Sequence, residues 1–437
     1  MSILMKDSGV EWIGQIPETW QIVRIKDISE NVKTGKTPPS KVKDFFTDGE
    51  IDWFTPGDMN ELILNNSSNR KIIKEAIIDG HVPFFKKDTI FLVGIGATVG
   101  KVSLSPKESS CNQQINAIEF NKVFPKYGLY YLTILSEEIQ KFASFVTLPI
   151  FTQTETKQLK ITFPKKEEQK QIANFLDKQT SKIDKVIKTK QQQLRHLEEL
   201  KKSIIHNAVT KGLDDSVEMI DSKIEWIGNI PKHWTTQMLK RTTYIKGRIG
   251  WQGLTSEEYQ TEGEYLLVTG TDFKGKYINW NTCHYVEKER YDEDKKIQLK
   301  EKDILVTKDG TIGKIAMVKE MILPTTLNSG VFVTRPLKDE YLQEYMYWVL
   351  ASDMLMEYIN YSKVGTTIAH LYQKTFEKFV YPLPPKDEQK EIVNYLDIEI
   401  EKIEKLKDNV NNQIEKLKEY KKSLIFEYVT GKKQVKE

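Results

Sequence analysis

One 49-residue segment occurs twice in this chain, at residues 164–212 and again, 220 positions later, at residues 384–432. In the second copy, apolar side chains recur every three or four positions, which is the spacing of one face of a long α-helix. The positions are Ile392, Leu396, Ile400, Ile403, Leu406, Val410, Ile414, Leu417, Tyr420, Leu424 and Tyr428. The first copy keeps nine of the eleven, as Ile172, Leu176, Ile183, Val186, Leu194, Leu197, Leu200, Ile204 and Ala208, with Thr180 and Lys190 as exceptions.

Both copies also carry the same signals for the beginning and the end of a helix. A proline stands before the first turn, acidic residues follow within that turn, and Gly212 or Gly431 comes after the last turn. Some 44 helical residues would make a rod roughly 65 Å long. One such rod cannot bury its apolar face alone, so we expect an antiparallel pair rather than two unrelated surface helices. The residues expected to pack this helix pair are Ile172, Leu176, Ile183, Leu194, Leu197, Ile204, Ile392, Leu396, Ile403, Ile414, Leu417 and Leu424.

A second repeat begins each half of the chain. The stretch VEWIGQIPETW at residues 10–20 returns as IEWIGNIPKHW at residues 224–234, a displacement of 214 positions. We call each copy a hook. The order is therefore hook, globular block, long helix, and then the same three parts again. Because the second hook follows the first helix, the organisation resembles a circle, and the N-terminal hook is expected to pack near the C-terminal helix.

The two globular blocks share a pattern of short β-branched runs, broken by Gly and Asp, followed by one helical stretch. We therefore predict two related α+β domains with curved β-sheets. They are separated by two long antiparallel coiled-coil helices, in a pseudo-two-fold repeat. The expected division is residues 1–163 for the first domain, 164–212 for the first helix, 213–383 for the second domain and 384–437 for the second helix with a tail.

Composition supports a globular protein without deciding its function. The chain has 437 residues, 39% hydrophobic residues and 10% aromatics, enough for two or three domains with real cores. A net charge of +3 alone argues nothing about nucleic acid. Two lone cysteines, Cys111 and Cys283, favour a reducing cytoplasm. The longest apolar run, Ile90–Gly100, is short and broken by glycine, so no membrane span is expected.

The motifs of common catalytic sites are missing or wrongly spaced. Gly94, Gly96 and Gly100-Lys101 do not fit the phosphate-binding loop, which needs a glycine five positions before the second one and a hydroxyl after the lysine. The glycines are better explained by tight turns. The tetrapeptide of methyl-transfer sites is absent, and the six histidines form no metal-ligand pattern. No catalytic residue, metal site or cofactor is therefore expected in this chain.

Polar and basic residues recur at matched depths in both blocks, in stretches that the sequence predicts to be loops. Taken singly, each is most simply a solvated side chain, and Asp58 and Asp272 could equally cap turns. Lys and Arg bind phosphates, whereas Asn, Gln, Arg and Thr contact base edges, so the recurrence favours DNA binding. The candidates are Lys33, Lys36, Thr37, Ser40, Asp58, Thr98, Lys101, Asn112 and Gln113 in the first block. In the second block they are Lys246, Arg248, Trp251, Gln252, Asp272, Lys308, Thr311, Lys314 and Asn328.

Together these motifs resemble the specificity subunit of type I restriction-modification systems. The resemblance is carried by the two hooks and by the turns Thr98-Val99-Gly100-Lys101 and Thr311-Ile312-Gly313-Lys314. It is also carried by the P-x-K-[ED]-E-Q-K-x-I run that begins each helix. It implies two target-recognition domains, each binding one half of a split DNA sequence. It also implies helices that set the gap and dock two methyltransferase subunits.

The resemblance further implies that chemistry resides in partners. S-adenosylmethionine, and ATP with Mg for cleavage, would be bound by the methyltransferase and motor-nuclease subunits. This chain would be non-catalytic and cytoplasmic. Two alternatives stay open at this stage: a coiled-coil adaptor that never touches DNA, and a free-standing methylase with an unrecognised site.

Overall fold

A computed structural model describes residues 4–39, 44–143, 149–248, 254–362 and 370–435. The chain forms two compact units. Unit 1 comprises Met1–Lys190 with Asn412–Glu437, and unit 2 comprises Gln191–Asn411. Each unit therefore contains one hook, one globular block and a part of both long helices, whereas the linear division of the sequence assigned each helix to a segment of its own.

The elements of unit 1 follow the predicted alternation of short strands and few helices. The strands are β1 (Met5–Asp7), β2 (Gln15–Pro17), β3 (Gln21–Arg24), β4 (Ser29–Thr34), β5 (Ile51–Phe54), β6 (Lys71–Ile72), β7 (Thr89–Val93), β8 (Val102–Ser105), β9 (Ser110–Cys111), β10 (Ile115–Phe120) and β11 (Lys160–Phe163). The helices are α1 (Ile25–Ile28), α2 (Glu75–Ile78), α3 (Pro125–Ala143), α4 (Gln153–Gln158) and the beginning of α5 (Lys166–Lys211).

The elements of unit 2 repeat this order with additions. The strands are β12 (Met219–Asp221), β13 (Asn229–Pro231), β14 (Thr235–Met238), β15 (Thr243–Gly247), β16 (Tyr265–Val268), β17 (Phe273–Lys274), β18 (Tyr277–Ile278), β19 (His284–Val286), β20 (Ile304–Thr307), β21 (Ile315–Met317), β22 (Thr325–Leu327), β23 (Val331–Pro336) and β24 (Val380–Leu383). The helices are α6 (Leu239–Thr242), α7 (Lys288–Asp292), α8 (Gln343–Ala351), α9 (Asp353–Tyr361), α10 (Gln373–Phe376) and α11 (Lys386–Val429), whose last part belongs to unit 1. Short 3-10 turns lie at Ser256–Glu258, Trp280–Thr282 and Lys295–Ile297.

Each block is built on two open sheets. In unit 1 they have the strand orders β4-β10-β7-β8 and β6-β5-β9. In unit 2 the first sheet has six strands, β15-β23-β20-β21-β18-β17, and the second has the order β19-β16-β22. The hairpin β17–β18 is the addition in unit 2, and it joins the sheet through a parallel pairing of Tyr277 with Met317. The two blocks therefore share a topology, and the predicted α+β class is confirmed.

The segments of the long helices within each unit run antiparallel. In unit 2, Lys407 bonds Glu198 at 2.6 Å and Glu404 accepts from Lys201 at 2.7 Å, so residue numbers rise along one helix as they fall along the other. In unit 1, Lys421 bonds Asp184 at 2.7 Å and the rings of Phe175 and Tyr428 lie 4.4 Å apart, so the numbering again runs in opposite directions. The predicted antiparallel pairing is confirmed in both units.

The apolar stripe differs from the prediction at four positions, because Val186, Leu200, Leu406 and Tyr420 are 44 to 58% exposed. Burial follows a strict heptad instead, the period of 3.5 residues that a coiled-coil seam requires. Thr180, an exception to the predicted stripe, is a buried heptad position. Lys201, Lys407 and Lys421 occupy other heptad positions, where the aliphatic stem covers the seam and the ammonium group reaches a carboxylate across it.

The hooks pack where the helices end. In unit 1, Lys432 donates from Nζ to the carbonyl oxygen of Ile13 at 2.7 Å, and Gly431 lies against Pro17 and Trp20. In unit 2, Gly212 lies against Trp234 and Pro231. The expected contact between the N-terminal hook and the C-terminal helix is therefore confirmed.

Candidate nucleic-acid interface

Four loops of unit 1 leave its two sheets at one edge. Strand β4 ends beside the start of β10, since Thr34 pairs with Asn116, and β7 ends beside the same point, since Val93 pairs with Ile115. The loops 35–39, 94–101 and 112–114 therefore emerge together. The parallel pairing of Phe54 with Cys111 brings the loop 55–60 to the same edge.

Unit 2 builds the same edge from the equivalent strands. Thr307 pairs with Val331, and Phe332 with Gly247, so β15, β20 and β23 meet where their loops begin. The parallel pairing of Val268 with Leu327 adds the loop that follows β16. The loops 269–272, 308–314 and 328–330, together with Arg248, thus correspond to the loop set of unit 1.

Backbone hydrogen bonds fix the two loop edges in the same way. The amide of Asn112 donates to the carbonyl of Phe54 at 2.9 Å, and that of Asn328 donates to Val268 at 3.0 Å. The turns between the central strands are tied by matching bonds, from Gly94 to Gln114 at 2.7 Å and from Lys308 to Gly330 at 2.8 Å. One scaffold therefore presents two different sets of side chains.

In unit 1 the loop edge brings most of the predicted residues together, and five of the nine have exposed side chains. Thr37 donates from Oγ1 to Oε1 of Gln113 at 2.5 Å, which links the loops 35–39 and 112–114. Lys101 is half-buried, with Nζ 3.4 Å from Oδ1 of Asn60. The exposed members of the predicted set are Lys33, Lys36, Thr37, Thr98 and Gln113. Ser40 lies outside the described residues.

In unit 2 fewer of the predicted residues are exposed. Thr311 and Lys314 are exposed on the central turn, as Thr98 and Lys101 are placed in unit 1. Lys246 is half-buried, 3.9 Å from a carboxylate oxygen of Asp294. Trp251 and Gln252 lie outside the described residues.

Asp58 and Asp272 cap turns, the alternative that the sequence left open. Oδ2 of Asp58 accepts from both the amide and the hydroxyl of Thr55, at 2.8 and 2.7 Å. Asp272 does the same for Thr269, at 2.7 and 2.9 Å. These carboxylates shape the loops 55–60 and 269–272, and a role as direct base contacts is not needed to explain them.

Arg248 requires a correction, because the prediction placed it among the DNA contacts. Its side chain is fully enclosed. The guanidinium donates to the carbonyl of Leu327 at 2.9 Å and to Oε2 of Glu293 at 2.5 Å. A cation held in this way supports the loop edge from inside and has no exposed donor to offer to a nucleic acid.

Lys308 and Asn328 also serve the interior of the edge, and Asn112 resembles them. Lys308 is only 8% exposed, and this burial lowers the pKa of its ammonium group, which lies 5.0 Å from the ring centroid of Phe332. Asn328 donates to the hydroxyl of Tyr259. Asn112 is buried and donates to Oε1 of Gln114 at 2.9 Å. Their contact with DNA stays a prediction.

Two side chains that pack on aromatic rings beside the edge were not among the residues predicted from the sequence. Arg70 lies over the ring of Phe46 in unit 1, and His284 lies against the ring of Tyr259 in unit 2. No motif marks them. The signal available in the sequence was their spacing, since His284 follows Arg70 by the 214 positions that also separate the hooks.

Other kinds of site receive no support from the described part of the chain. Within it, no group of three or more His, Cys, Asp or Glu side chains is placed to hold a metal ion. Among the helices that the structure describes, none is long and apolar enough to cross a membrane. Burial raises the pKa of the Cys283 thiol to about 12, far from that of a reactive cysteine.

Fold and loop edges together define a protein with two related recognition-type blocks on a pair of long helices. The family described as the type I restriction modification DNA specificity domain matches residues 17–196 and 254–416. This chain belongs to that family.

Curated relatives match along nearly the whole chain. The type I restriction enzyme MjaIX specificity subunit of Methanocaldococcus jannaschii is 27% identical over 440 residues, covering 97% of this chain and 96% of the relative. The MjaVIII specificity subunit of the same organism is 26% identical over 431 residues, covering 97% and 95%. A solved structure concerning complex assembly and conformational transition of the type I R-M system shares the fold. Its TM-score is 0.71 at 14% identity, with 95% of this chain and 98% of that chain covered.

Proposed function

We propose that this chain is the sequence-specific DNA-recognition subunit of a type I restriction-modification complex. Each globular block binds one half of an asymmetric bipartite site in duplex DNA. The long helices set the gap between the two halves and dock two methyltransferase subunits. Motor-nuclease subunits join for cleavage.

The observation that carries this proposal is the repetition of one loop edge with different side chains. The hydrogen bonds from the amide of Asn112 to the carbonyl of Phe54 and from the amide of Asn328 to the carbonyl of Val268 hold the loops in the same way in both units. The side chains on the central turns differ, with Gly94 in one unit and Lys308 in the other. Two unlike surfaces on one scaffold fit a DNA site whose halves have different sequences.

The exposed cations explain affinity, and the polar groups explain selectivity. Lys33, Lys36 and Lys314 offer ammonium groups that neutralise phosphates and release counterions, so binding should weaken with salt. Thr37 and Gln113 offer hydroxyl and amide groups of the kind that contact base edges. Positioning by phosphates and selection by bases are thus divided between two sets of residues.

Chemistry is assigned to the partner subunits. S-adenosylmethionine would be bound by the methyltransferase subunits, which would modify adenine, and ATP with Mg would serve the motor-nuclease subunits. The specificity subunit would determine which DNA sequence the complex binds. Membership of the specificity-domain family, and the fact that the relatives are specificity subunits, support this division.

The decisive experiment exchanges one block. Residues 21–163 are replaced by the corresponding block of a relative, and the methylated adenines are sequenced in cells that also express the methyltransferase subunit. We expect one half-site to change and the other to remain. A change in both halves, or in neither, would refute the modular assignment.

The helices are tested separately. Inserting or deleting one helical turn after Lys190 and also after Val410 changes both helices together and leaves both loop edges untouched. We expect the number of unread base pairs between the half-sites to change. An unchanged gap would remove the helices from the determination of spacing.

The second candidate is a coiled-coil adaptor that does not touch DNA. The observation in its favour is that the apolar side chains of Val186, Leu200 and Leu406 are exposed on the helices, where a partner protein can cover them. It predicts that the full methyltransferase complex shifts DNA without any sequence preference due to this chain. A preference that follows residues 21–163 in the exchange would exclude it.

A further inference from the structure

Arg70 occupies a stacked position beside the loop edge of unit 1. Its guanidinium carbon lies 3.5 Å from the ring centroid of Phe46 and 5.7 Å from that of Trp53. The two rings meet edge to face, 5.2 Å apart. The carbonyl of Arg70 accepts from the amide of Trp53 at 3.2 Å, so the backbone is fixed as well. The planar group is therefore held in place by aromatic rings rather than by hydrogen bonds.

This position belongs to the loop edge. Trp53 donates from its indole nitrogen to the carbonyl of Lys36 at 3.0 Å, which ties the platform to the loop 35–39. The neighbouring Asn69 donates from its amide to Oδ1 of Asp58 at 2.9 Å, which ties it to the loop 55–60. Arg70 is thus placed between two of the four loops.

The described residues leave the donors of Arg70 without a hydrogen bond, although its positive charge acts on the carboxylate of Asp44. Among the described residues, no side chain or carbonyl accepts a hydrogen bond from its guanidinium, and the residue is exposed. Unit 1 contains one other arginine, Arg24, which bonds Asp27 at 2.9 Å. Stacking orients a guanidinium plane and leaves its five N–H groups available along the edge.

Unit 2 has a different residue at the equivalent position. His284 pairs with Leu267 in β16, and both follow Arg70 and Trp53 by 214 positions. The His284 ring lies 4.8 Å from the ring of Tyr259 at an angle of 32°, and Tyr259 is bonded by Asn328 of the loop 328–330. The same device, an exposed polar side chain on an aromatic platform, therefore recurs with another chemistry.

We propose that this stacked position determines base specificity in each unit, and that Arg70 binds a guanine in the half-site of unit 1. The inference rests on the proposed function. An arginine edge matches the O6 and N7 acceptors that guanine presents in the major groove, and this pairing is the commonest specific contact. His284 presents different hydrogen-bond donors and acceptors from those of Arg70. We therefore expect it to favour a different base at the corresponding position of the other half-site.

The test uses the complete methyltransferase complex with four variants of this chain. Methylated adenines are sequenced in cells, and binding is measured on DNA carrying each base at every position of the site. Arg70→Ala removes the proposed guanine contact, His284→Ala removes its counterpart, Phe46→Leu keeps Arg70 but removes its platform, and Arg24→Ala is the matched control.

For Arg70→Ala, we expect discrimination at one base pair of one half-site to fall by roughly 5- to 150-fold, with the other half-site unchanged. Phe46→Leu should relax the same base pair to a smaller degree. His284→Ala should relax one base pair of the other half-site only, and Arg24→Ala should change nothing. The unaltered half-site in each variant also shows that the chain is folded.

Three results would overturn the proposal while leaving the function intact. The first is that Arg70→Ala weakens DNA binding equally on all sequences. The second is that it relaxes discrimination at a base pair other than G·C. The third is that it leaves the methylated motif unchanged. A wild-type complex that methylates without any bipartite motif would instead overturn the proposed function itself.

Discussion

Trp20 donates from its indole nitrogen to Oε1 of Glu168 at 3.1 Å, which joins the first hook to the first turn of α5. The second hook makes the same bond, from Trp234 to Oε2 of Glu388 at 2.8 Å. Each hook is therefore bonded to the first turn of the long helix that begins in its own unit. This contact explains why the hook and the helix are repeated together in the sequence.

The first prediction removes one of these bonds. Trp20→Phe leaves the half-buried carboxylate of Glu168 without its donor, and a hydrogen bond to a charged group is worth about 1.5–3 kcal/mol. We expect the free energy of unfolding to fall by about this amount in urea titrations. Trp12→Phe is the control, because Trp12 packs against Tyr131 through its ring. Equal losses in the two variants would show that the bond contributes nothing beyond ring packing.

The second prediction concerns Gly431, which has a φ of 74°. A Cβ atom there would lie 2.4 Å from Cδ of Pro17, so Gly431→Ala combines left-handed backbone strain with a collision. Gly9 has a φ of 65° and nothing within 4 Å of the position a Cβ would take, so Gly9→Ala adds the strain alone. We expect about 1–2 kcal/mol of destabilisation for Gly9→Ala and a clearly larger loss for Gly431→Ala. Similar melting curves for the two would contradict the tight packing of the hook on the end of α11.

Much of this architecture was predictable because its signals are local. Helix periodicity, the glycines after each helix and the two tryptophans of each hook act over a few residues, and so they survive in a single sequence. The matched positions of the polar loops were also visible in the sequence, whereas their meeting at one edge depends on strand pairing between distant residues. Thr180 also carried a signal of the heptad period, because a threonine interrupts the predicted apolar stripe at a position that the heptad places in the buried seam.

The roles of individual site residues were not predictable, because they depend on partners far along the chain. Arg248 is enclosed by Glu293, 45 positions away, and Arg70 is oriented by Phe46 across a loop. An arginine in a polar stretch has the same local pattern whether it is buried or stacked. Only the packing of the two sheets shows whether such an arginine is buried inside the unit or exposed on its surface.

The third prediction separates these roles for Arg248. Arg248→Ala removes the donor to the carbonyl of Leu327 and leaves the half-buried carboxylate of Glu293 with Arg290 as its remaining partner, which should cost about 1–3 kcal/mol of folding free energy. Thermal unfolding measures this loss, and Lys314→Ala, on the exposed turn of the same unit, should leave the melting temperature nearly unchanged. A stable Arg248→Ala protein that has lost discrimination at one base pair would restore the original DNA-contact prediction.

The fourth prediction is a pH dependence within the helix pair of unit 2. Burial tends to raise the pKa of Glu404, but hydrogen bonds and charge from Lys201 and Lys407 outweigh it and hold that pKa below its usual value. Since the folded state binds this proton less tightly than the unfolded state, the stabilisation is present above the unfolded pKa and is lost as the pH falls through the folded one. Glu404→Gln should therefore destabilise the protein at pH 7 by up to about 1 kcal/mol, because the pair is partly exposed. The difference should vanish in strong acid.

Urea titrations of the wild type and Glu404→Gln across this pH range provide the measurement. Glu415→Gln is the control, since Glu415 bonds only Lys418 on its own helix among the described contacts. A constant difference between the wild type and Glu404→Gln at all pH values would show that the carboxylate acts by packing and not by its charge.

The fifth prediction distinguishes phosphate contacts from base contacts at the loop edges. Lys36, on the loop 35–39 of unit 1, and Lys314, on the central turn of unit 2, are both exposed, and we expect each to neutralise a phosphate. Lys36→Ala should then weaken binding by a similar factor on every DNA sequence and reduce the slope of log K against log salt by about 1. Lys185→Ala, on an exposed part of α5, should leave the slope unchanged. Binding isotherms of the complete complex at four salt concentrations would provide the slopes, and a loss confined to one base pair, with the slope intact, would show that Lys36 contacts a base.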